Sequence, residues 1–99
     1  MSETQHDRIA KAIAKKKGAT YPPSKGADIV TSDEAVEVEV DEAKLSEGMQ
    51  QLRGYRKRRY LAVPKNLVEA AKETTKGTQV GVMDETGRIR KRAGGKRGK

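Results

Sequence analysis

A mixed α/β domain, with helices packed on a central sheet, is the architecture these 99 residues predict. Three observations lead there. Apolar residues recur at helical spacing in three separate stretches. Short runs rich in Val, Ile and Leu stand between and after them. The two kinds of segment alternate along the chain instead of segregating. The length suits one domain, placed at residues 1–92, with 93–99 as a disordered basic tail of glycine and cations.

The elements follow in order. Thr4 to Lys17 reads as a helix, because Ile9, Ala10, Ile13 and Ala14 share one face and Gly18 follows as a stop. Lys15, Lys16 and Lys17 fall in its last turn, where the helix dipole favours cations. "ATYPPSKGA" starts with a short, weakly marked strand and turns to loop at Pro22 and Pro23. "DIVT" is a short strand, "SDEA" a turn, and "AVEVEV" a second strand with Val36, Val38 and Val40 on one face. A helix from about Lys44 to Arg58 carries Leu45, Met49 and Leu52 as its apolar stripe. "RYLAV" is continuously apolar, as a central strand with both faces covered should be. Pro64 suits the first turn of a helix running to about Thr75, with Leu67, Ala70, Ala71 and Thr74 inward and Gly77 as its stop. "QVGVMD" is a strand, "DETG" a turn, and "RIRKR" an edge strand.

Composition narrows the function classes. Hydrophobic residues make up 33%, and the only aromatics are three tyrosines, so the core is small and built from aliphatic side chains. A domain of this size is marginally stable, which leaves room for a homodimer or a bound partner to contribute. There is no cysteine, which removes disulfides, thiolate catalysis and Cys-based zinc sites. No apolar run reaches membrane-spanning length, and the N-terminus carries no apolar signal core, so no membrane is expected as a partner. An intracellular location, cytoplasmic or nucleoid-associated, is the expectation.

The distribution of charge says more than its formal total of +8. Between Gly26 and Ala43 stand seven acids and no base, while the other 81 residues hold 22 bases and seven acids, a balance of +15. A basic body attracts a polyanion, and DNA is the expected partner, with RNA left open. An acidic strip within that body repels the same polyanion unless a cation sits on it. Glu37, Glu39 and Asp41 share one strand face, about 6.5–7 Å apart from one to the next. If "DIVT" pairs with this strand through the short turn, Asp28 comes near Glu37. Carboxylates gathered in this way form a hard-oxygen site suited to Mg²⁺ or Mn²⁺. The alternative is a solvated outer face, since Val alternating with Glu is also what a half-exposed strand looks like.

"GADIV" followed by "VEVEV" resembles the PD-(D/E)xK nuclease superfamily, whose fold is restriction-endonuclease-like. Asp28 matches the first acid of that motif and Glu37 the second. "QLRGY" on the next helix is similar to the Q-x-x-x-Y signature of the recombination-exonuclease branch, through Gln51 and Tyr55. In the helix from Lys44 to Arg58 these two stand at i and i+4, so they lie on one face, and Lys44 and Gly48 continue that face toward the acids. The resemblance implies a nuclease-like domain with an αβββαβ core over roughly residues 4 to 63, plus an added helix and hairpin. It implies a metal-dependent nuclease hydrolysing DNA phosphodiester bonds, with Asp28, Glu37 and Glu39 as metal ligands and Gln51 and Tyr55 completing the catalytic set.

One position departs from the pattern. Glu39 stands where the family has Lys, which leaves a two-metal site or an inactive one, and Lys25 or Lys44 to supply the missing charge. Two further readings therefore stand beside the nuclease. One is a non-catalytic nucleic-acid-binding protein on the same fold, and the other an adaptor whose acidic strand docks a basic protein. For nucleic acid, the expected contacts are Lys25 together with Arg53, Arg56, Lys57, Arg58 and Arg59, the last five a run of bases with no acid among them. Arg88, Arg90, Lys91 and Arg92, with the tail bases, suit non-specific backbone contact or solubility. His6, the one histidine, is expected to be solvated.

Overall fold

The computed structural model describes residues 4–19 and 27–94. Its elements are α1 (Gln5–Lys17), β1 (Ile29–Val30), β2 (Glu34–Val38), α2 (Leu45–Gln51), β3 (Arg58–Ala62), α3 (Val68–Thr75), β4 (Gly81–Met83) and β5 (Ile89–Lys91). This is the expected alternation. The weak strand expected in 19–27 falls in residues 20–26, outside the described residues. Among the described residues, two strands rather than three precede α2, so the structure establishes a mixed α/β domain and not the αβββαβ core.

Local chemistry explains the first helix. Thr4 is extended, and its Oγ1 accepts the Asp7 N–H at 3.1 Å. Gly18 adopts the left-handed conformation at φ 68° and donates its N–H back to the carbonyls of Ala14 and Lys15, a helix end that a Cβ would strain. The other two helices are shorter than their sequence periodicity implied. Each begins with a 3₁₀ turn, Glu42–Lys44 before α2 and Lys65–Leu67 before α3. Around α3, Leu67 and Ala71 are buried as expected and Ala70 packs against the core, while Val68 and Thr75 rather than Thr74 complete the inward stripe.

The five strands form one sheet in chain order. β1–β2 and β4–β5 are antiparallel, and β2–β3 and β3–β4 are parallel. Each parallel pair is bridged by a helix. Successive crossovers in one direction put α2 and α3 on the same face. That face holds a core of Ala35, Leu45, Leu52, Leu61, Val63, Val68, Ala71 and Val82. The opposite face is covered by α1, whose Ile9, Ala10, Ile13 and Ala14 pack on Ile29, Val36, Val38, Tyr60, Ala62 and Met83. β3 lies in the middle with both faces covered, as its unbroken apolar run requires. Truncating Leu61, fully buried at its centre, removes packing worth about 2–5 kcal/mol.

The β4–β5 hairpin is built around Asp84, which is 2% exposed. Its Oδ1 accepts the Thr86 N–H at 2.9 Å, the Thr86 hydroxyl at 2.6 Å and the Arg88 N–H at 3.2 Å. β5 is an edge strand, as expected. Its Lys91 is not a free surface cation. The ammonium turns in and donates to the Thr75 carbonyl, the Thr75 hydroxyl and the Val80 carbonyl at 2.9–3.1 Å. It thus closes the C-terminal end of α3, and burial lowers its pKa. The described chain stays attached through Gly94, whose N–H donates to the Gln79 carbonyl at 2.8 Å. The tail bases 95–99 lie outside the described residues.

Candidate functional site

The β1–β2 hairpin brings Asp28 and Glu37 together because β1 is only two residues long. Its pairing ends at Ile29 opposite Val36. Asp28, one residue earlier, takes over with its side chain, and Oδ2 accepts the Val38 N–H at 2.9 Å. The Asp28 N–H in turn donates to Glu37 Oε1 at 3.2 Å. A carboxylate thus substitutes for strand backbone at the open end of the hairpin and fixes the second carboxylate beside it.

Glu37 points to the sheet face that α2 covers, and it is 9% exposed. The solvated outer face fails here for a physical reason: β2 is an inner strand with helices on both sides, so its alternation separates two cores rather than core from water. Asp41 does not join the group. β2 ends at Val38, and Asp41 is an exposed cap whose Oδ1 accepts the Ala43 N–H at 3.0 Å.

α2 sits close to Glu39 through Gly48. A Cβ on that glycine would lie 2.8 Å from Glu39 Cγ and 2.9 Å from Leu61 Cδ2, so the approach needs a residue without a side chain. The helix face running from Lys44 through Gly48 does meet the acidic strand, as expected. Its continuation differs. α2 stops at Gln51, and Gly54 at φ 90° carries the chain out of helix before Tyr55. Gln51 and Tyr55 are therefore not one helix face. Gln51 is exposed and makes no hydrogen bond to the acids among the described residues. Tyr55 folds back, and its Oη accepts the Ala27 N–H at 3.0 Å, next to Asp28.

His6 is the residue that the sequence did not mark. Expected in solvent, it reaches from the first turn of α1 to Asp28, with Nε2 3.0 Å from Oδ2. The contact spans 22 positions of sequence, and no local pattern encodes it. Its one signal is the Thr4 cap, which fixes where α1 begins.

The electrostatics follow from this burial. Desolvation, then the neighbouring Asp28 charge, raises the Glu37 pKa from 4.5 to about 8, against the opposing Asp28 N–H. Glu39 is also raised, first by burial and then by Asp28 and Glu47, while His6 and Lys44 oppose. Burial alone would lower His6, but the Asp28 charge and hydrogen bond, helped by Asp7, lift it above its ordinary value. The group is short of positive charge. Lys44 acts on Glu39 from one side, and Lys25 lies outside the described residues. Among the described residues, no three His, Asp or Glu side chains already converge as a metal site.

The basic run divides. Lys57 donates to the Thr31 carbonyl at 2.8 Å, and Arg58 lies 3.9 Å from Glu34, which also pairs with Lys17 at 2.5 Å. These two cations serve the β1–β2 turn. Arg53, Arg56 and Arg59 make no ion pair with described residues, and Arg53 and Arg56 are exposed.

No protein-family model, no curated protein and no solved structure matches the chain. Among the described residues, no helix is long and apolar enough to cross a membrane.

Proposed function

We propose that the chain is a metal-dependent nuclease acting on DNA, with Asp28, Glu37 and Glu39 holding Mg²⁺ or Mn²⁺. The observation that carries this reading is Glu37, a carboxyl buried on a face that otherwise forms core, whose Oε1 accepts only the Asp28 backbone N–H and which lies beside the half-buried Asp28 carboxylate. A structural role for Glu37 would favour a matched donor set, and one backbone N–H is not that. Bound metal would polarise a phosphodiester and lower the pKa of an attacking water. The chain's own residues do the holding. Tyr55 pins Ala27 and so fixes the approach of Asp28, His6 orients the Asp28 carboxylate, and Gly48 lets α2 close over Glu39. Lys44 offsets the negative charge of Glu39, the residue that stands where the resembled pattern has Lys. Arg53 and Arg56 present exposed cations to the phosphate backbone.

A second reading is a non-catalytic nucleic-acid-binding protein. It draws on two observations: Asp28 Oδ2 is already engaged by His6 and Val38, and Glu39 replaces the family's Lys. A cleavage assay with single-stranded, duplex and branched DNA in Mg²⁺ or Mn²⁺ separates the two. Cleavage that is lost in EDTA and in Glu37→Gln supports the nuclease. Salt-sensitive binding without cleavage of any form overturns it in favour of the binding module.

A further inference from the structure

The flank of α2 opposite Glu39 carries a second polar feature. Ser46, Met49, Gln50 and Arg53 repeat at i, i+3, i+4 and i+7, so they line one side of the helix and its exit turn. Across from them stand Arg59 on β3, Thr74 on α3, and Thr78 and Val80 before β4. Together these residues enclose a cleft of about 360 Å³, within the range of small-molecule sites.

No acid lines this cleft. Neither guanidinium is neutralised by a described residue, although Glu34, Glu69 and Asp84 each hold a cation elsewhere. Met49 and Val80 form an apolar floor, and Val80 is buried. Thr78 belongs to the frame, because its hydroxyl donates to the Thr75 carbonyl and accepts the Val80 N–H. Ser46, Gln50 and Thr74 make no side-chain hydrogen bond with described residues. The α3 C-terminus, whose dipole would repel an anion, is capped by the Lys91 ammonium on the Thr75 carbonyl. Two arginine forks, two hydroxyls and an amide around an apolar floor match a phosphate monoester with a small apolar or planar group attached.

We infer that the cleft between α2 and α3 is an anion site that binds a phosphate monoester through Arg53 and Arg59. It lies on the far side of α2 from Asp28, Glu37 and Glu39, and it needs neither metal nor cleavage. It shares Arg53 with the backbone contacts proposed above, but phosphate binding by the metal-free protein and metal-dependent cleavage are read separately, so the failure of one is distinguishable from the failure of the other. The phosphate has two sources, a free nucleoside monophosphate or the 5′-phosphate at the end of a nucleic-acid strand.

NMR titration of the arginine Nε–Hε signals tests the site, first with inorganic phosphate and then with deoxyadenosine monophosphate. Saturable shifts of Arg53 and Arg59 are expected. Arg53→Gln with Arg59→Gln should weaken binding at least tenfold while the melting temperature stays within a few degrees. Arg53→Lys, which keeps charge but loses the fork, should lie between. Matched oligonucleotides with and without a 5′-phosphate separate the sources. Tenfold preference for the phosphorylated strand, lost in the double variant, assigns the strand end, and equal affinity for the mononucleotide assigns the free nucleotide. Absence of saturable shifts with every probe, or shifts unchanged in the double variant, overturns the inference.

Discussion

Asp84 and Glu37 are both carboxylates buried at strand ends, and they are solvated in opposite ways. Asp84, 2% exposed, has its charge met by two backbone N–H groups, a hydroxyl and Arg90 at 3.5 Å. Desolvation pushes its pKa up, but the Thr86 and Arg88 hydrogen bonds overcome it, and the net shift is downward. Glu37, at 9% exposure, receives one N–H and faces further carboxylates, and its pKa rises to about 8. Burial alone does not decide whether an acid stabilises a fold; the donors around it do. Asp84 is built as a turn keystone. Glu37 is a buried carboxyl that its surroundings leave short of donors, so the protonated form is favoured.

The largest effect should come from breaking the satisfied acid. Asp84→Ala leaves four donors in the hairpin without their acceptor, two backbone N–H groups, the Thr86 hydroxyl and the Arg90 guanidinium, and should cost about 3 kcal/mol in chemical denaturation. A loss below about 0.5 kcal/mol would show that the turn does not depend on it.

The unsatisfied acid should behave in the reverse sense, and pH exposes it. The unfolded Glu37 gives up its proton near 4.5, while the folded one keeps it to about 8. The folded state therefore binds more protons across that window, and metal-free stability falls as pH rises through it. His6, raised in the fold, contributes in the same direction, its stabilisation being lost as pH climbs through its folded value. Asp84 works oppositely, since its pKa is lowered from 3.8 and its contribution is lost only as pH falls below that range. Glu37→Gln keeps an acceptor for the Asp28 N–H and removes the titration. It should gain about 2 kcal/mol at pH 8, roughly 10 °C in Tm, and little at pH 4.5. Parallel pH profiles for the variant and the natural chain would count against the shift.

A smaller effect tests how closely the acidic region is packed. Gly48→Ala improves helix propensity but drives a methyl into Glu39 and Leu61. The conflict should end about 1 kcal/mol destabilising, with the Glu39 side-chain resonances displaced. A stabilised variant with Glu39 unmoved would mean that α2 has room to lift.

Much of this is legible in the sequence. The order of helices and strands, the central place of Arg58–Ala62, the edge place of Ile89–Lys91 and the nearness of Asp28 to Glu37 follow from periodicity and a short turn. Other features needed tertiary context. Val alternating with Glu looks alike whether the second face meets water or a helix, so the burial of Glu37 was hidden. The early end of α2 depends on Gly54 adopting positive φ, which composition alone does not dictate. His6 meets Asp28, and Lys91 meets Thr75, across distances that local patterns do not encode. Lys57 and Arg58 sit in the same basic run as Arg53 and Arg59, yet two tie down a turn and two face a cleft.

Carboxyl ¹³C titration of Glu37 and Asp84 in one sample, with and without Mg²⁺, tests the central claim most directly. Without metal, Glu37 should titrate near 8 and Asp84 below the ordinary aspartate range. With Mg²⁺ at millimolar concentration, the Glu37 midpoint should fall by more than one unit, because a bound cation favours the ionised form, while Asp84 stays where it was. A Glu37 midpoint that is already ordinary, or one that Mg²⁺ does not move, would contradict the account.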